Sequence, residues 1–130
     1  GHRVFTYSYL PHSGGLTESE VMSEAAQLNR APLLFPDRRI TVEPPFRITK
    51  GAVSLEVLKR AEKAARLVVR LVETSGGTGI ARLTAALSGV QLVETDLLEW
   101  RDGETFRFRQ GTAELTFRPF EIRTFRVEPC

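Results

Sequence analysis

Along this chain apolar residues recur either every second position or every third to fourth, and each change of spacing marks the border of an element. From Arg3 to Pro11, Phe5, Tyr7 and Tyr9 alternate with Val4, Thr6 and Ser8, which predicts a strand. Ser13-Gly14-Gly15 then turns the chain. Thr17, followed three residues later by Glu20, has the form of a capping box, in which the hydroxyl accepts from an orphan N–H and the carboxylate reaches back. Behind it Val21, Ala25 and Leu28 make one stripe with Met22 and Ala26 beside it, so a short amphipathic helix is expected over about 17–29. Pro32, Pro36, Pro44 and Pro45 remove ladder donors from the next stretch, and residues 31–46 are expected to be an extended, proline-rich connection.

Residues 53–73, VSLEVLKRAEKAARLVVRLVE, fit two patterns. Val57, Ala61, Ala64, Ala65, Val68 and Val72 fall at helical spacing among good helix formers. Val53, Leu55 and Val57, then Leu67, Val69 and Leu71, alternate as in a hairpin turning near Glu62 to Ala65, but that turn has no Gly, Asn or Asp. The pattern alone matches helix the better and leaves the hairpin open. Beyond it the punctuation is that of strands. SGGTG at 75–79 precedes apolar runs at Ile80–Leu87 and Val90–Trp100, which Ser88-Gly89 divides. Asp102-Gly103 predicts a two-residue type I′ hairpin turn. Phe106 and Phe108 alternate with Arg107 and Arg109; Gln110-Gly111 turns the chain into Leu115 and Phe117. Pro119 is expected at a bulge or an edge before a last strand, Phe120 to Val127. Several short strands at close spacing predict a mainly β fold, an antiparallel two-sheet β-sandwich with one short helix.

Composition narrows the function classes. The 130 residues suit a single domain, and 42% hydrophobic with 26% charged residues is a globular composition. Eighteen basic residues against sixteen acidic ones leave +2, and Arg101, Arg107 and Arg109 are interleaved with Glu99, Asp102 and Glu104, so no basic face for nucleic acid is expected. No apolar run approaches the ~20 residues that span a bilayer. A single cysteine, Cys130, excludes an internal disulfide framework and fits a reducing, cytoplasmic setting. The chain opens directly on strand-like sequence, as a fragment of a longer polypeptide would.

The candidate chemistry is sparse. A zinc site needs several converging ligands, and His2, His12 and Cys130 are too few and too scattered; His12 is expected to be a hydrogen-bonded histidine at a strand end. Gly14-Gly15 lacks a phosphate-binding signature, and Glu18 and Glu20 would repel an anion. No G-x-S-x-G occurs. Glu94 and Asp96, at i and i+2 on one strand face, are the carboxylate pair to weigh against the two-carboxyl chemistry of glycosidases, although such pairs are common on wet strand faces. Tyr7, Tyr9 and Trp100 are the candidate sugar contacts, with packing as their ordinary role. No catalytic, cofactor-binding or metal-ligating residue is assigned.

Four stretches in order, FTYSYLPHSGGLTESEVMSEAAQLNRAPL, RLVVRLVETSGG, VETDLLE and PFEIRTFRV, make a series that resembles the C-terminal β-sandwich region of family thirty-eight α-mannosidases. That family has a strand ending in Pro-His, a turn, a helix ending in an Asn-x-Pro-Leu-like step, an Arg-Leu-Tyr-Glu strand, a Leu-Leu-Glu strand and a closing Glu-Ile-Arg-Thr strand. The likeness spans nearly the whole chain and rests on order and spacing. Departures are Gly14-Gly15-Leu16 after Ser13, where the family tends to Gly-Asp-Trp, Val72 at an aromatic position, and Lys63-Ala64-Ala65 at a Gly- or Asp-rich turn. The resemblance implies that 53–73 is a hairpin. It implies a noncatalytic C-terminal domain that packs on the catalytic domain of the same parent chain, shaping its cleft or its assembly. The parent would be a zinc-dependent retaining hydrolase of terminal α-linked mannose, with zinc and the reacting carboxylates outside this sequence. Carbohydrate binding and homo-oligomerisation are the alternative roles.

Overall fold

The computed structural model describes residues 1–16, 18–30, 36 and 43–130. The chain forms two compact units, residues 1–41 and 42–130. The second is the expected sandwich: a three-stranded sheet facing a five-stranded one, every pairing antiparallel. Its strands are β1 Phe46–Lys50, β2 Val53–Arg60, β3 Leu67–Glu73, β4 Gly79–Ala85, β5 Val90–Thr95, β6 Asp102–Arg107, β7 Thr112–Phe117 and β8 Ile122–Pro129. The sheets run β1-β4-β7 and β2-β3-β8-β5-β6, so the last strand in sequence lies at the centre of the larger sheet.

Strand alternation fills the core. In the smaller sheet the buried positions face one another across the β4–β7 ladder as large against small, Leu83 on Ala113 and Ala81 on Leu115. Val69 and Leu71 of β3, Leu92 of β5 and Phe125 and Val127 of β8 supply the other layer. Phe106 of β6 meets Phe125 edge-on at 5.8 Å between ring centroids.

Residues 53–73 are the hairpin β2–β3, against the helical pattern that their propensities favour. Leu58 pairs with Val69 and Val57 with Arg70. The strict alternation read through Val53, Leu55 and Val57 breaks at a bulge between Leu55 and Val57, which puts Val57 opposite Arg70, in the phase that points away from Val69 and Leu71. The turn holds despite its poor chemistry because it is completed from elsewhere. Ala61 N–H donates to the Arg66 carbonyl at 2.8 Å, and Glu62 N–H donates to the Glu99 carboxylate at 2.8 Å.

Two turns differ from the sequence pattern. Asp102-Gly103 lies inside β6, and the β5–β6 connection is instead the loop Asp96–Arg101, where Glu99 has φ 61°. Asp96 makes that turn by accepting Trp100 N–H on Oδ1 at 2.8 Å. The pair of positive-φ residues is Gln110 (φ 50°) and Gly111 (φ 74°), closed by hydrogen bonds in both directions between Arg109 and Thr112. Pro119 sits neither at a bulge nor at an edge. It is in the turn Arg118–Glu121 between β7 and β8, where Phe120 has φ 55° and Glu121 N–H donates to the Arg118 carbonyl.

In the first unit, Arg3–Pro11 does not form the expected strand: it has no ladder partner among the described residues, and its residues are exposed. The helix α1 is Val21–Asn29, shorter than the expected 17–29, and buries none of its residues. Its N-cap Glu20 makes no side-chain cap; Thr17 lies outside the described residues, as do all but a few of the proline-rich connection.

Candidate functional site

The clearest constellation in the sandwich is a carboxylate enclosed by a glycine-rich loop. Val69 and Leu71 point into the core, and the same strand phase carries Glu73 inward, where it is buried. SGGTG folds back over it. Glu73 accepts from Ser75 N–H at 2.8 Å, from the Ser75 hydroxyl, from Gly76 N–H at 2.8 Å and from Phe120 N–H at 2.9 Å. Gly76 is required here, because at φ 74° a Cβ would stand 2.6 Å from the Phe120 ring. The loop therefore does cradle an anion, and the anion is the protein's own side chain. A small recess of about 230 Å³ adjoins it, lined by Gly51, Val53, Ser75, Gly77 and Ile80 among others.

The Ser75 hydroxyl first, and then the N–H groups of Phe120, Ser75 and Gly76, hold the Glu73 carboxyl down at about 2 against the opposing effect of burial. A carboxylate whose folded value lies below its ordinary 4.5 contributes its full stability above that pH and loses it as pH falls towards 2. Chemical denaturation at a series of pH values is expected to show the midpoint falling across this window, less steeply in Glu73→Gln. A wild-type profile no steeper than that of the variant would contradict the assignment.

A second buried charge lies at Arg123, again in core phase with Phe125 and Val127. Its guanidinium grips Glu94 with two parallel bonds, Nε to Oε1 at 2.7 Å and Nη2 to Oε2 at 2.6 Å, and donates to the Thr116 carbonyl at 2.8 Å. The same group lies over the Phe106 and Phe125 rings, each at 5.0 Å, and near Phe117 at 5.5 Å. Glu94 and Asp96 consequently do not act as a pair. One carboxylate is tied to Arg123 and the other caps Trp100 N–H.

The third is Glu99, buried on the Asp96–Arg101 loop. Its carboxylate accepts from Lys59 Nζ at 2.8 Å and from Glu62 N–H, and these two donors, Lys59 first, hold its pKa below the usual carboxylate range. Lys59 also pairs with Glu62. Arg70 Nη2 donates to the Leu97 carbonyl at 3.2 Å, so the loop is anchored to both β2 and β3.

The candidate sugar contacts fall in both units. Tyr7 and Tyr9 belong to the first unit, 91% and 87% exposed, and Trp100 to the second, 67% exposed with Lys63 Nζ 4.6 Å above its ring. His12 lines a recess of about 340 Å³ with Leu10, Val21, Ala25 and Leu28, and its ring makes no hydrogen bond to a described residue, unlike the bonded histidine expected. Gly14, at φ 82°, makes a turn in which Gly15 N–H donates to Glu18 at 3.2 Å, which is the turn role read for the glycine pair. Among the described residues no three His, Cys, Asp or Glu side chains are placed to hold a metal ion, and no helix is long and apolar enough to cross a membrane. A broad concave surface of about 1150 Å³ is open and polar, lined by Arg82, Arg107, Arg109, Gln91 and Gln110 among others, with Arg82 paired to Glu114 at 2.8 Å.

Sequence reasoning passed over Glu73, Glu99 and Arg123. The readable signal for two of them was a charge standing in the apolar phase of a strand.

Comparison with known proteins places this geometry. The family model described as the glycosyl hydrolases family 38 C-terminal beta sandwich domain matches residues 52–125. An alpha-mannosidase G of Dictyostelium discoideum is 27% identical over 137 residues, covering 97% of this chain and 12% of that protein. The chain thus spans about an eighth of the relative's length.

Proposed function

This chain belongs to the C-terminal β-sandwich family of the family 38 glycosyl hydrolases, and from that premise we propose that it is a noncatalytic scaffold of an α-mannosidase-like enzyme, packing on the catalytic part of the same polypeptide. The observation that carries the reading is the fate of the buried charges. Glu73, Glu99 and Arg123, the buried charged groups among the described residues, are each engaged by hydrogen bonds that join loops and strands, which supports a structural role for them. Hydrolysis of α-linked mannose, with its zinc ion and reacting carboxylates, then belongs to the rest of the parent chain. A carbohydrate-binding role would need an exposed aromatic platform; among the described residues Trp100 is exposed with a cation over its ring and has no second ring beside it.

The reading is tested by making this chain and the remainder of the parent as separate polypeptides. The remainder is expected to bind the tagged chain, and the chain alone to leave an aryl α-mannoside intact with or without added zinc. Turnover by the chain alone, or failure of the two pieces to associate, would sink it.

A further inference from the structure

Within four residues, the Asp96–Arg101 loop inverts the usual partition of side chains. Leu97, Leu98 and Trp100 are 55%, 61% and 67% exposed, while the charged residue among them, Glu99, is 7% exposed. The inversion is built in rather than a loose excursion. Glu99 holds a left-handed φ of 61°, which a side chain adopts at a steric cost, and its carboxylate is locked to Lys59 and to Glu62 N–H. Asp96 fixes Trp100 N–H, and Arg70 fixes the Leu97 carbonyl. Four polar anchors thus hold three large apolar groups out into water, in one fixed arrangement.

We infer that this loop is the docking element by which the sandwich seats on the rest of its parent chain, with Leu97, Leu98 and Trp100 entering an apolar recess. The inference rests on the scaffold reading above. Lys63 lies over the Trp100 ring, and Arg101 beside it has no side-chain partner among the described residues, so the recess has an acidic rim. The occupant is assigned to the parent because the relative carries the matching stretch, 27% identical, as 12% of a single polypeptide. A tethered partner is present at high effective concentration, which permits a small, preorganised contact to suffice.

Trp100 is the only tryptophan of the chain, so it reports the contact directly. Mixing the wild-type chain with the separately expressed remainder of the parent is expected to shift its emission to the blue, read against the remainder's own signal. Trp100→Ala and Leu98→Asp are expected to weaken association at least ~30-fold, as loss of a central anchor does. Both side chains are exposed, so thermal unfolding of the isolated variants should match wild type and separate docking from folding. If the wild-type pieces associate and the variants associate equally well, this assignment is wrong and the scaffold reading stands. If the wild-type pieces do not associate even at about 1 mM, the effective concentration of a tethered partner, both fall. Self-association of the isolated chain that the two substitutions abolish would make a second copy the occupant and overturn the inference.

Discussion

Arg123→Ala is expected to lower the unfolding free energy of the sandwich by about 2–3 kcal/mol. Removing one partner of a buried ion pair costs about 3–5 kcal/mol, because the other charge is left without its partner. Glu94 is partly open to water, with its side chain 29% exposed, and the figure is reduced accordingly. The substitution also removes the donor to the Thr116 carbonyl and the cation lying over three phenylalanine rings. Arg123→Lys keeps the charge but lacks the planar fork that meets both Glu94 oxygens, so it should recover only part of the loss. Replacing Arg123 by Met and Glu94 by Leu together should be less damaging than Arg123→Ala, since no unpaired charge remains. Urea unfolding of the four proteins gives the ranking. Equal stability of Arg123→Ala and wild type would show that the pair is too hydrated to matter.

Glu73→Ala should lower the melting temperature by ~10 °C or more. One side chain satisfies three backbone N–H groups and a hydroxyl, drawn from the 74–78 loop and from the Arg118–Glu121 turn. Without it these donors face a buried space with no acceptor. Phe120, whose ring lies against Gly76 and whose backbone is left-handed, loses the acceptor of its N–H. Glu73→Gln keeps one acceptor oxygen but turns an amide donor towards other donors, so it should fall between the two. Calorimetry decides the order; a Glu73→Ala protein melting within a degree or two of wild type would refute the cradle.

Much of this fold is written locally. The alternation of Leu67, Val69 and Leu71 marks the core phase of β3, and Glu73 stands in it two residues from Leu71, as Arg123 of β8 stands two residues from Phe125. A charge there signals an enclosed partner, although the partner's identity depends on strands distant in sequence. The 53–73 hairpin was legible only through resemblance. Ala61, Ala64 and Ala65 favour helix, and the acceptor that stabilises the turn instead, Glu99, comes from 37 residues further along. The type I′ turn was misplaced for a similar reason. Asp-Gly is the stronger local signal, yet Asp96 and Arg101 close a longer loop first, and the ladder then runs through Asp102 opposite Thr95. The Leu97–Trp100 surface left no periodic trace, since exposure in a loop follows no repeat.

The position of β8 carries a consequence for how the molecule is made. This strand bridges β3 and β5, and without it the larger sheet separates into the pairs β2–β3 and β5–β6. A nascent chain emerging from the ribosome therefore waits, its hairpins unjoined, until residues 122–129 clear the exit tunnel. Truncation between Arg107 and Ile122 therefore leaves two unjoined ribbons with apolar faces, substrates for chaperones and proteases rather than a smaller version of the domain.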